Sequence, residues 1–208
     1  MPEVAPLLIV DADEAVVERE LVSGLLACPC CVAVLGPWGW ARGRVLRCSG
    51  GDRVLRPRRA RCRGCAGTHV LLGARGLVRR RDEAAVIGAA LMEMIGVGRG
   101  HRPVAAQLGL PASTVRGWRR AFIAGAQAVR AHFTRWGHAL DAGLGAAAPA
   151  GDGAGDALEA VAVAARAWVL RFGPRPFWQV VSALSGGALL RNTSCPFPAA
   201  GAAARVRA

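Results

Sequence analysis

Apolar positions along this chain recur with two different periods, and the changes of period mark its parts. "PLLIV" (6–10) is a short apolar run that predicts a strand, and "DADEAVVERELVSGLL" (11–26) sets Val16, Val17, Leu21 and Leu25 on one side of a helix. From 28 to 73 helical periodicity disappears, and "AVLGPWGWARGRVLRC" (33–48) and "DRVLRPRRARC" (52–62) predict two strands around the "SGG" loop at 49–51. The helical period returns over 82–137, beginning with "DEAAVIGAALMEMIG" (82–96), which turns Ile87, Leu91 and Ile95 inward. "DAGLGAAAPAGDGAGD" (141–156) predicts a flexible linker, "ALEAVAVAARAWVLRF" (157–172) and "PFWQVVSALSGG" (176–187) predict two more helices, and the low-complexity "AAGAAARVRA" predicts a disordered end. The pattern divides the chain into a leader (1–27), a cysteine-rich segment (28–73), a helical domain (82–137), a linker (138–155), a C-terminal helical segment (156–190) and a tail (191–208).

The chain is long enough, at 208 residues, for one sizeable domain or two or three small ones. Charge sharpens this picture: 27 Arg and no Lys face 7 Asp and 7 Glu, a net of +13. Between Arg42 and Arg81 there are 13 Arg and one acid, Asp52. So strong an imbalance points to a polyanionic partner, nucleic acid above all. The longest apolar runs, such as "AAVIGAALMEMIGVG", are too short for a membrane span, so no membrane partner is expected. The acidic N-terminus lacks the basic start of a signal peptide, which predicts a cytoplasmic, nucleoid-associated protein. In that compartment cysteines serve as metal ligands or free thiols rather than disulfides.

Six of the seven cysteines lie in 28–73, and four form two Cys-x-x-Cys turns: Cys28–Cys31 in "CPCC" and Cys62–Cys65 in "CRGC". Each turn sets two sulfurs on one side of a tight loop, and two such turns complete a tetrahedron around Zn²⁺. With a hairpin between them they define a zinc ribbon, closed to water and therefore structural. A redox pair would instead call for a thioredoxin-like pattern, which is absent. Cys30 and His69 are neighbouring alternatives for the metal shell, while Cys48 and Cys195 have no evident role. Arg42, Arg44, Arg47, Arg56, Arg58, Arg59, Arg61 and Arg63 make the ribbon a positive surface, with Arg58, Arg59 and Arg61 as phosphate contacts.

"RPVAAQLGLPASTVRGWRRAF" (102–122) carries a helix-turn-helix pattern. Val104, Leu108, Leu110, Val115 and Trp118 lock two helices, Ala105 is the small residue at their crossing, Gly109 makes the turn, and Pro111 begins the second helix. Ser113, Thr114, Arg116 and Arg120 then face base edges, with Gly117 permitting close approach. Arg119, Arg102 and His101 are placed for phosphates.

Together these motifs, "CPCC…WGWARGRV…RPRRARCRGCAGTHVLL" and "GRGHRPVAAQLGLPASTVRGWRRAF", resemble a bacterial family of zinc-ribbon, helix-turn-helix proteins. They are also similar to the N-terminal DNA-binding half of certain insertion-sequence transposases. The resemblance covers about residues 20–137, and weakly "WQVVSALSGGALL". It implies DNA binding, with zinc on Cys28, Cys31, Cys62 and Cys65. Past the helix-turn-helix the only acids are Asp141, Asp152, Asp156 and Glu159, without the strands a two-metal strand-transfer site needs, so no enzyme is expected.

The expected fold is mainly α with a small β zinc ribbon, followed by a helix-turn-helix and a C-terminal helical segment. The expected function is sequence-specific duplex-DNA binding, as a transcriptional regulator or a transposon-associated targeting protein, with a recombinase or transposase or a second copy as further partner. Trp168, Phe172, Phe177 and Trp178 are candidates for self-association, or else for core packing. Two alternatives are a zinc or redox sensor that releases a partner on thiol oxidation, and an RNA-binding zinc-ribbon protein.

Overall fold

A computed structural model describes residues 7–145 and 151–190. Among the described residues the chain is mixed α/β, 49% helix and 20% strand, with a small sheet and six helices. That is more strand than a mainly α expectation allows, because both ends of the N-terminal third enter one sheet. The elements run β1 (Leu7–Val10), α1 (Glu14–Val22), β2 (Leu35–Trp40), β3 (Arg44–Cys48), β4 (Gly51–Leu55), β5 (Arg58–Cys62) and β6 (Thr68–Gly73). The helices α2 (Ala84–Leu91), α3 (His101–Leu108), α4 (Ala112–Leu140), α5 (Gly153–Phe172) and α6 (Phe177–Leu184) follow, with one π-turn (Met92–Gly96) after α2.

The four-stranded sheet has the order β1-β6-β5-β2. β1 lies parallel to β6, with Leu7 opposite Val70 and Val10 opposite Gly73, so the stretch read as a leader supplies one edge of the sheet. The Asp13 side chain caps α1 by accepting from the Ala15 N–H at 2.8 Å. Val17 and Leu21 of α1 bury against Leu35, Ala60 and Leu71 of the sheet. Leu25, expected on the same face, is exposed, because the chain turns out of the helix at Gly24 (φ +68°).

The two long strands expected around "SGG" are each broken once. β3 and β4 form their own two-stranded hairpin, while β2 and β5 pair in the larger sheet. Pro57 lies at the break; it has no N–H for the ladder, though its carbonyl accepts from the Ala41 N–H at 2.8 Å. The hairpin is tied to the helical part through Arg47, whose Nη2 donates to Asp82 at 3.0 Å just before α2.

α4 and α5 share the largest helical interface, and Phe122, Val129, Phe133, Ala164 and Trp168 fill the main core. Gly88 of α2 lies against the Trp178 ring of α6, in space a Cβ would occupy. Trp168 and Trp178 therefore pack inside the chain, while Phe172 and Phe177 stay partly exposed. The π-turn rotates the end of the α2 face, so that Met94 rather than Ile95 is fully buried. α5 begins at Gly153, inside the stretch read as a linker, where Asp152 caps it. Residues 191–208, including Cys195 and the expected disordered tail, lie outside the described residues.

Candidate metal centre and the cationic helix face

Two similar turns build the cysteine site. The Cys28 N–H donates to the Ala33 carbonyl and the Cys62 N–H to the Gly67 carbonyl, each at 2.8 Å and each five residues on. In each turn the residue after the second cysteine has left-handed backbone, Val32 at φ 68° and Ala66 at φ 58°. Within each turn backbone N–H groups point at sulfur: Cys30 donates to Cys28 Sγ at 3.4 Å, and Gly64 and Cys65 donate to Cys62 Sγ at 3.3 and 3.4 Å. The β2–β5 pairing sets Leu35 opposite Cys62 and so carries the second turn alongside the first. A Cβ on Gly64 would stand 2.8 Å from that of Ala33 and 3.3 Å from Cys31 Sγ, so only glycine lets the turns meet.

The four sulfurs of Cys28, Cys31, Cys62 and Cys65 all lie within 4.8 Å of one another. Cys31 and Cys62 are 3.3 Å apart, and Cys28 and Cys65 are 3.7 Å apart. A tetrahedron with arms of about 2.3 Å has edges of about 3.8 Å, so the cluster could hold a metal ion of zinc's kind. Cys28 and Cys62 are buried, whereas Cys31 and Cys65 face outward. Burial pushes the Cys28 thiol up from its ordinary range. The Cys65 N–H, with help from Cys31 and the Gly64 N–H, brings Cys62 down to about 6 against the opposing effect of burial. Cys31 has the Ala33 N–H favouring its thiolate, yet is raised because the proton shared with Cys62 stays on it. The N–H groups aimed at Cys62 Sγ favour its thiolate, the form a metal ligand requires.

His69, fully buried on β6, sets Nε2 3.4 Å from Cys28 Sγ, and with Cys28 and Cys30 it forms a second, overlapping group of donors. Cys48 stands apart at the end of β3, beside Leu46.

The arginines of this region divide in a way the sequence did not show. Arg58, expected on phosphate, donates to both carboxylate oxygens of Glu18 at 2.7 and 2.9 Å and lies 4.5 Å from the Trp40 ring. Their mutual hydrogen bond holds Glu18 below and Arg58 above its usual range. Arg47 is committed to Asp82, and Arg44 is turned inward, its pKa lowered by burial. Arg59 is half-buried, while Arg42, Arg53, Arg56, Arg61 and Arg63 reach the surface.

In the helical part, Gly109 closes α3 in left-handed backbone (φ 63°, ψ 31°) and Pro111 caps α4, one residue earlier than its expected place. Val104, Ala105, Val115 and Trp118 are buried between the two helices, with Leu108 and Leu110 partly so. On α4, buried Val115, Trp118 and Phe122 define the inner face; Ser113, Arg116, Gly117 and Arg120 fall on the outer one. Thr114 is half-buried at the margin, and Arg102 is exposed on α3. Arg119 and His101 both line a cleft of about 610 Å³ that reaches Asp152 and Gly153 at the start of α5.

Trp38 and Trp40, which the sequence places in a strand and in the "WGWARGRV" stretch of the resemblance without a role of their own, lie exposed at the edge of the sheet. Among the described residues no helix is long and apolar enough to cross a membrane. Comparisons with family models, curated proteins and solved structures found no match.

Proposed function

We infer that the chain is a sequence-specific duplex-DNA-binding protein built on a structural zinc ribbon and a helix-turn-helix. The observation that carries this is the outer face of α4. Ser113, Arg116, Gly117 and Arg120 stand together in solvent on the first three turns of a helix held from behind by α3 and the core. That is where a recognition helix presents side chains to base edges, and Arg116 and Arg120 have the bidentate donors that guanine accepts. Arg102, exposed on α3, and His101 with Arg119, which line one cleft, suit phosphate oxygens. Zinc on Cys28, Cys31, Cys62 and Cys65 would stiffen the arginine-rich strands without catalysing anything, since four thiolates leave no open position. A regulator of transcription and a targeting protein that works beside a recombinase would both use this arrangement.

Selection of bound sites from random duplexes tests it. A defined site is expected, with affinity falling steeply as salt rises. A palindromic site would point to a two-fold dimer. Folded, zinc-loaded protein that ignores duplex DNA at low salt would overturn the assignment, and preference for structured RNA would replace it.

A further inference from the structure

Trp38 and Trp40 are 49% and 47% exposed on β2, the last strand in the sheet order. Its start bonds Leu26, but its tryptophan end has no further strand beside it among the described residues. Two large aromatic rings left in water on an open edge mark an interaction surface. Each ring is already dressed with cations. The Arg61 guanidinium lies 4.6 Å from the Trp38 ring centroid, and those of Arg58 and Arg56 lie 4.5 and 5.8 Å from that of Trp40. The strand is irregular between Pro37 and Trp40, with Gly39 at φ +83° and open space where a Cβ would be. That irregularity sends the two indoles to opposite sides of the sheet edge. Trp40 sits with Arg58, which bonds Glu18 on the α1 side, and Trp38 sits with Arg61, one strand position away from the buried Ala60.

We propose that this edge binds unpaired DNA bases, one on each indole, with the connecting phosphates taken by Arg56, Arg61 and Arg63. Placement favours a single strand over a duplex. With the indoles on opposite sides of the edge, neighbouring bases stacked about 3.4 Å apart in one duplex strand cannot cover both rings. Bases that cover both rings must therefore have left their own stack. Charge complements this geometry, because from Ala33 to Ala66 nine arginines face a single acid, Asp52, at the far end of the hairpin. A flexible acidic peptide would satisfy the guanidiniums yet leave the flat rings uncovered. The choice of DNA rather than RNA rests on the groove-reading assigned to α4 above, so the protein would hold a duplex that carries an unpaired flank.

The test uses the full zinc-loaded chain and three probes: an oligothymidylate of about ten nucleotides, the selected duplex with blunt ends, and that duplex with the oligothymidylate as a tail. Stacking predicts that Trp38→Ala weakens binding of the free oligonucleotide, and removes the gain the tail confers, by about 5-fold to 150-fold. Trp38→Phe should restore most of the loss, and blunt-duplex affinity should be unchanged by either. Trp40→Phe, which keeps a ring over Arg58, guards against misfolding in that position. Arg116→Ala should do the reverse, lowering blunt-duplex affinity and sparing the free oligonucleotide. Unaltered oligothymidylate binding in Trp38→Ala, equal competition by polyglutamate, or tighter binding of oligouridylate would each overturn the proposal. Loss of blunt-duplex binding alone would overturn the groove-reading and leave the stacking edge standing.

Discussion

Gly117 separates protein stability from DNA contact more cleanly than any arginine does. α4 contains Gly117 and Gly125, and at neither would an added Cβ meet another atom within 4 Å. Neither has positive φ, so alanine is compatible with the backbone at both. Replacing an interior helical glycine by alanine is worth about 1 kcal/mol. For a chain of this size that is a rise in melting temperature of about 2–4 °C per substitution. Gly117→Ala and Gly125→Ala should therefore be equally stabilising. They should differ on DNA. Gly117 lies on the outer face between Arg116 and Arg120, whereas Gly125 lies eight residues further along the helix, about 12 Å away, and turned aside. A methyl group at 117 would hold the backbone off the base edges and forfeit about one bidentate contact, about 1–3 kcal/mol, or roughly 5- to 150-fold in Kd. Thermal melts and fluorescence anisotropy on the selected duplex measure both quantities on the same preparations. If both variants melt higher and bind DNA alike, α4 does not approach a groove through this face.

Three further outcomes follow from the structure. Removing metal with a chelator should unfold the cysteine region while leaving much helical signal, since the helices have their own core; Gly64→Ala should lower zinc content from one per chain, because its methyl would press on Ala33 and Cys31. Circular dichroism and metal analysis read both results. Val32→Gly should stabilise the zinc-loaded protein by about 1 kcal/mol, because valine at φ 68° is strained and its side chain, 56% exposed, packs little; an unchanged melting temperature would contradict this.

His132 gives a pH signature. Burial lowers its pKa below the ordinary 6.5, against the opposing effect of the Leu184 carbonyl, with Arg135 adding to the lowering. That carbonyl, 2.8 Å from Nε2, can only accept, whereas the Trp136 indole N–H, 3.2 Å from the same nitrogen, can only donate, so the two compete for Nε2 of the neutral ring. Above about pH 6.5 the ring is neutral in both states and its full contribution is present. Below that value the unfolded chain takes up a proton that the folded chain resists, and stability falls. His132→Gln should flatten the decline of melting temperature between about pH 7 and pH 5; identical slopes in the two proteins would refute it, and comparing slopes removes the part due to metal release.

Periodicity and spacing determined a good deal unaided. The two Cys-x-x-Cys turns converge because thirty intervening residues form a hairpin, and α2 to α6 fall near their predicted places because each carries its own apolar stripe and stop signals. The outer face of α4 was legible for the same reason, since helix geometry orders every side chain relative to the buried Val115 and Trp118. Other features depended on partners remote in sequence. Nothing local announces that Leu7–Val10 would pair with Val70–Gly73, or that Arg58 would spend its charge on Glu18 and Arg47 on Asp82. Nor does "GPWGW" reveal that its strand ends the sheet and leaves both indoles in water. Composition counts charges and rings; only the folded chain decides which of them are neutralised by a neighbour and which are left for another molecule.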